Sequence, residues 1–137
     1  MEMAEQYIDK GETCLIVEDS SFDCEKMTRV MQRTREDMRI EVASSLRAAR
    51  RVLEKGSLSL ILLDNNLPDG LGADFVQELA SDPKLSGIPV IMVSDWPSPF
   101  MWEKAAAAGV AYVLSKTEFD GRYVHAALEG KQARRLN

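Results

Sequence analysis

Five side chains in this 137-residue chain have types suited to joint chemistry, namely Glu18, Asp19, Asp64, Ser94 and Lys116. Each stands just after a short apolar run. "CLIV" (14–17) leads into Glu18 and Asp19, and "LILL" (60–63) into Asp64. "VIMV" (90–93) leads into Ser94, and "AYVL" (111–114) into Ser115 and Lys116. Three carboxylates held close together repel by on the order of several kcal/mol at an effective dielectric near 20. A hard cation relieves that repulsion, and oxygen ligands favour Mg²⁺ or Ca²⁺. Mg²⁺, which is small, keeps waters and takes a phosphate oxygen, suits the set best. An aspartate carboxylate can attack phosphorus and form an acyl phosphate. Such chemistry consists mostly of positioning and charge neutralisation. An ammonium and a hydroxyl are suitable parts for holding phosphoryl oxygens.

The runs must be placed so that these groups meet. Each is too short for an ordinary helix and none alternates apolar with polar, which suits strands covered on both faces of a parallel sheet. "RIEVAS" (39–44) does alternate and suits an edge strand. Helical patterns lie between the runs. Met27, Val30, Met31 and Thr34 share one face of a segment near 21–35. Leu46, Ala49 and Leu53 share a face near 45–55, where Gly56 ends the helix and Ser44 or Ser45 caps it. Phe75, Val76, Leu79 and Ala80 mark a third helix, "PFMWEKAAAAG" (99–109) a fourth, and Phe119, Tyr123 and Ala127 a fifth. Strand and helix alternate five times, the pattern of an α/β domain with helices on both faces of a parallel sheet. The strand ends then share one rim, and ligands bind at that carboxyl rim, where the strand order reverses. Alone, an aspartate before "NNLPDG" (65–70) is an ordinary turn residue. Four strand ends with complementary chemistry make it a site.

Composition narrows the function. The length is that of one domain, with 45% apolar and 28% charged residues and a net charge of −5. An acidic balance argues against a nucleic-acid binder. The basic tail "KQARRLN" (131–137) reads as a solvated helix end. No run approaches the length of a membrane span, and "MEMAEQYIDKGE" (1–12) lacks the pattern of a signal peptide. Cys14 and Cys24 show no metal or disulfide spacing, so free thiols in the cytoplasm are expected.

At these residues the chain resembles the receiver domain of two-component response regulators. The motifs are the acidic pair after the first run, "LLDNNLPDG" (62–70), Ser94 and Lys116. The resemblance covers 13–130, leaving 1–12 as an N-terminal extension and 131–137 as a tail. It implies a flavodoxin-like doubly wound (βα)5 fold with a five-stranded parallel sheet of order 2-1-3-4-5. It further implies Asp64 as phospho-acceptor and Mg²⁺ held by Glu18, Asp19, Asp64 and the backbone carbonyl of Asn66, with Asp19 a more direct ligand than Glu18. Ser94 corresponds to the switch hydroxyl, and Lys116 to the ammonium that pairs with Asp64 and then with the phosphate. The implied phosphoryl donor is a sensor histidine kinase or a histidine phosphotransfer protein. The implied output is altered binding of a downstream protein through the face 95–130, and homodimerisation is left open.

Three positions depart from the family pattern. Thr117 replaces the common proline after the lysine, which weakens the case for a cis bond there. Asp95 replaces a small residue after the switch hydroxyl and adds a carboxylate beside the phosphate path, so slow labelling by small donors is expected. Val113 stands where an aromatic switch is usual, and the adjacent Tyr112 points to the opposite face of its strand.

In "DWPSPFMW" (95–102), Trp96 and Trp102 suit either core packing or a partner surface. His125, the one histidine, reads as an ordinary helical residue. Two other functions compete with a stand-alone receiver. A Mg²⁺-dependent phosphatase with Asp64 as nucleophile would favour a second aspartate at 66, where Asn66 stands. A degenerate receiver acting only as an interaction module is disfavoured by the presence of Asp19, Asp64 and Lys116 together.

Overall fold

Period-two side-chain alternation explains why the apolar runs need no polar interruption. In the computed structural model, which describes residues 12–130, the four runs and the alternating segment form one parallel sheet. The strands are β1 (Thr13–Val17), β2 (Arg39–Ala43), β3 (Leu60–Leu63), β6 (Val90–Ser94) and β7 (Tyr112–Ser115). Their spatial order is β2-β1-β3-β6-β7, which is 2-1-3-4-5 when only these five are counted. Leu15, Val17, Ile61, Leu63 and Met92 face one side, beneath α2 (Leu46–Glu54), α3 (Gly72–Ala80) and α4 (Pro99–Ala107). Cys14, Ile16, Leu60, Leu62, Ile91 and Val93 face the other, beneath α1 (Ser21–Thr34) and α5 (Gly121–Leu128). Both faces are covered, so every residue of β3 is buried.

The alternating segment is the edge strand β2, as its pattern predicts. The opposite edge differs from expectation. β7 carries a continuous apolar run, yet Tyr112 and Val113 are only half-buried, because an edge strand has a neighbour on one side alone. Tyr112 packs edge-on against Tyr123 of α5, with ring centroids 5.1 Å apart, while Val113 packs toward the face under α4. The two side chains therefore point to opposite faces.

Local chemistry starts the helices. Ser20 caps α1 by accepting the Asp23 N–H, and Ser98 caps α4 by accepting the Met101 N–H, with Pro99 in the first turn. Asp120 caps α5 through the Arg122 N–H. The N-terminus of α2 is capped twice. Ser45, and not Ser44, accepts the Ala48 N–H, while the Asp69 carboxylate accepts the Leu46 and Arg47 N–H groups at 2.8 and 2.9 Å. Gly109, at φ +81°, ends α4 in a left-handed conformation that favours glycine.

"NNLPDG" contains more than the sharp turn expected of it. Asn66–Leu67 (β4) and Gly70–Leu71 (β5) form a two-residue antiparallel ladder before α3 begins. Of the expected flanking segments, 1–11 and 131–137 lie outside the described residues. No described helix is long and apolar enough to cross a membrane.

Candidate functional site

Backbone hydrogen bonds at the ends of the ladders bring the chemical groups to one rim. The Glu18 N–H donates to the Ala43 carbonyl, the Asp64 N–H to Val17, and the Lys116 N–H to Ser94, each at 3.0 Å. The loop after Asp64 is tightly constrained. The Gly72 N–H bonds the Asn65 carbonyl at 2.8 Å, and the Ala73 N–H bonds the Asn65 side-chain oxygen at 2.9 Å. A β-carbon on Gly72 would collide with the Asp64 carbonyl oxygen, so glycine is required for this close approach.

One carboxylate oxygen from each of Glu18, Asp19 and Asp64 lies within 4.8 Å of the others. Glu18 and Asp64 are buried, whereas Asp19 is exposed at the mouth. Ser94 is buried at the end of β6, opposite Ser115 in the ladder. The backbone N–H groups of Asn65 and Asn66 lie against the Asp64 carboxylate, and the Asn66 residue itself is exposed. Among the described residues there is no cis peptide bond, so the Lys116–Thr117 link is trans.

The Lys116 ammonium is the cation at this rim, and it touches four acids. It donates to Asp23 Oδ2 at 2.7 Å. It lies 3.1 Å from Glu18 Oε1, 3.7 Å from Asp95 Oδ2 and 3.8 Å from Asp64 Oδ1. The fourth carboxylate expected at Asp95 is therefore in place. Asp23 carries no signal in the sequence that marks it as part of the site. It falls in the first turn of a helix three residues after a serine cap, where an aspartate is ordinary. Here Glu18 Oε2 accepts the Ser20 N–H at 3.0 Å, and the Asp23 carboxylate turns instead to Lys116.

These surroundings set the charge states. Burial, and then repulsion from Glu18, push the Asp64 carboxyl up to about 6, against the opposing pull of Lys116 and the two backbone N–H groups. Glu18 is also raised, first by burial. Burial opposes the Lys116 charge, but the Asp23 hydrogen bond and the Asp64 and Glu18 carboxylates outweigh it and hold the ammonium well above its usual range.

The donors suit a hard divalent cation. Glu18 Oε1 is a buried acceptor without a hydrogen-bond partner among the described residues, since Lys116 approaches it off the bonding direction. It lies beside two further carboxylates, an all-oxygen set of the kind Mg²⁺ takes.

A carboxyl-edge crevice of this kind, on a sheet of this order, lies at the point where open α/β sheets bind their ligands. The chain belongs to the response regulator receiver domain family, whose model matches residues 14–129. Among solved structures, it is similar to the Mn(2+)-bound form of response regulator Rcp1, with a TM-score of 0.71 and 23% identity over 88% of this chain and 89% of that one. It is similar to the phosphorylated cyanobacterial phytochrome response regulator RcpA, with a TM-score of 0.72 and 21% identity over 87% and 90%. A two-component response regulator from Legionella pneumophila gives 0.74 and 23% over 89% and 98%. At these identities the likeness is one of fold. None of the curated proteins matches the chain.

Proposed function

We propose that this receiver accepts a phosphoryl group on Asp64 from a phosphohistidine, on a sensor histidine kinase or a histidine phosphotransfer protein, and signals by a change in what it binds. The observation that carries the reading is the Asp64 carboxylate. It is buried at the end of the central strand, clustered with Glu18 and Asp19, and faced by the Lys116 ammonium at 3.8 Å.

In this reading an Asp64 oxygen attacks phosphorus, the P–N bond breaks, and its electron pair leaves with the imidazole. The product is an acyl phosphate, which water later hydrolyses. Glu18, Asp19, Asp64 and the Asn66 carbonyl would hold Mg²⁺, which when bound neutralises the crowded anions and accepts a phosphoryl oxygen. Lys116 pairs with the phosphoryl charge, and the Ser94 hydroxyl donates to one of its oxygens. The chain is thus a self-modifying acceptor, not an enzyme acting on free substrates.

The output surface in this reading is the face 95–130. Its support is a cluster of exposed aromatics, Trp96, Phe100 and Trp102, at the entry to α4. The free, half-buried Cys24 and buried Cys14 fit a reducing cytoplasm.

The test is incubation with Mg²⁺ and a small acyl-phosphate donor or a phosphorylated histidine protein. The expected product is one acid-stable, base-labile phosphoryl group, absent in Asp64→Asn. Labelling that persists in Asp64→Asn, or steady turnover of free phosphoesters, would overturn the proposal.

A further inference from the structure

We infer that Asp23 is a positioning residue that acts through Lys116, drawing the ammonium's hydrogen bond away from Glu18 and Asp64 in the unmodified protein and so easing entry of a divalent cation. The inference rests on the phospho-acceptor reading of the site and adds a residue to it. Lys116 is the one cation that the described structure places among these acids, and its short hydrogen bond goes to Asp23 at 2.7 Å. Asp64, the group with which it is expected to pair, is 3.8 Å away. Glu18 Oε1, 3.1 Å away, is an ion-pair contact that makes no directed hydrogen bond. The directed hydrogen bond of the ammonium therefore goes to Asp23, and only ion-pair contacts reach the Glu18 and Asp64 oxygens that a metal would need.

The tie is local and releasable. Asp23 sits on the first turn of α1 with a fifth of its side chain exposed, and it is joined to Lys116 across 93 residues of chain. Both side chains line a cleft of about 170 Å³ between α1 and the segment after β7, walled by Met27, Val30 and Phe119. The lysine stem thus has room to swing. Two carboxylates compete for one ammonium, Asp23 at rest and the Asp64 site once a phosphoryl dianion is there. The added charge on Asp64 favours the second partner, which hands Lys116 across.

Without Asp23 the ammonium falls back on Asp64 and Glu18 and competes with the cation. Removing any nearby negative charge also weakens cation binding, so a double-mutant cycle is needed to separate the two effects. The probe is Mg²⁺ alone, titrated calorimetrically into wild type, Asp23→Asn, Lys116→Met and the double variant. Asp23→Asn is expected to weaken Mg²⁺ binding about fivefold when Lys116 is present and less than about twofold when Met replaces it. Asp23→Glu, which keeps the carboxylate, is expected to restore most of the affinity.

Equal losses in the two backgrounds, or no loss in either, overturn the inference while leaving the phospho-acceptor reading intact. A wild type that binds no Mg²⁺ overturns both. Should Lys116→Met fail to fold, NMR of Asp23→Asn decides. Shifts of the Lys116 ¹⁵Nζ and the Asp64 ¹³Cγ are expected, and an unmoved Asp64 ¹³Cγ overturns the handover.

Discussion

Asp64 is the residue on which acidity should have its clearest effect. Its carboxyl titrates near 3.8 when unperturbed and at about 6 in the folded site. Below pH 3.8 both states hold the proton, and the stability that its tighter hold in the folded state contributes is fully present. Between the two values the folded state binds the proton more tightly, so the stability it contributes is lost as pH rises through about 6. That shift is worth on the order of 2–3 kcal/mol. Metal-free protein in chelator is expected to melt several degrees higher at pH 5 than at pH 7.5. Asp64→Asn should abolish most of that difference, as measured by circular dichroism. Asp95 acts at the same scale. Its carboxylate sits 3.7 Å from Lys116 and is well exposed, so it repels an incoming dianion without being part of the metal set. Asp95→Ala is expected to label roughly threefold to tenfold faster with a small acyl-phosphate donor, and an unchanged initial rate would show that the carboxylate does not slow the donor. Glu18, Asp19, Asp64, Ser94 and Lys116 were legible because each ends an apolar run, and parallel strands put such ends on one rim. Asp23 was not legible. Helix-start chemistry accounts for an aspartate there, and only the approach of α1 to the segment after β7 shows where its carboxylate goes.

Elements transmit the site's requirements through their ends. The Asp69 carboxylate, in the turn between β4 and β5, holds the first two N–H groups of α2 and so ties the loop after Asp64 to a helix on the neighbouring β2 side. Asp69→Ala is expected to lower the urea midpoint of unfolding, since one of the two caps of α2 is lost while Ser45 remains. Asp69→Asn should recover part of the loss. The five-strand alternation was readable because continuous apolar runs and helical spacing do not overlap in this sequence. Two features were less readable. The β4–β5 ladder is only two residues long on each side, too short for any alternation to register. The half-exposure of β7 depends on its being last in the sheet, a property of topology and not of the run itself. "DWPSPFMW" was readable only as a choice between two packings, because aromatic spacing alone does not say which face of α4 meets the sheet. Met101 and Ala105 took the buried positions, which leaves Trp96 and Phe100 outside.

Over the molecule as a whole, the charged groups and the exposed aromatic side chains are segregated. The acidic rim gathers charge, whereas Trp96, 86% exposed, and Phe100, 68% exposed, offer apolar area beside it. Trp96→Ala is expected to leave the thermal midpoint unchanged, within about 0.5 kcal/mol of unfolding free energy. It should also reduce cross-linking of beryllofluoride-treated protein to its binding partners, which the same change made at the exposed Phe22 on α1 would not. The order of strands has a further consequence in time. Lys116 follows β7, the last strand to leave the ribosome, whereas the acids it serves lie on segments made earlier. A nascent chain halted anywhere before that point holds its anions with no ammonium among them. Collapse of the sheet during synthesis should therefore be favoured by Mg²⁺, and prematurely terminated fragments should be poorly packed prey for proteases.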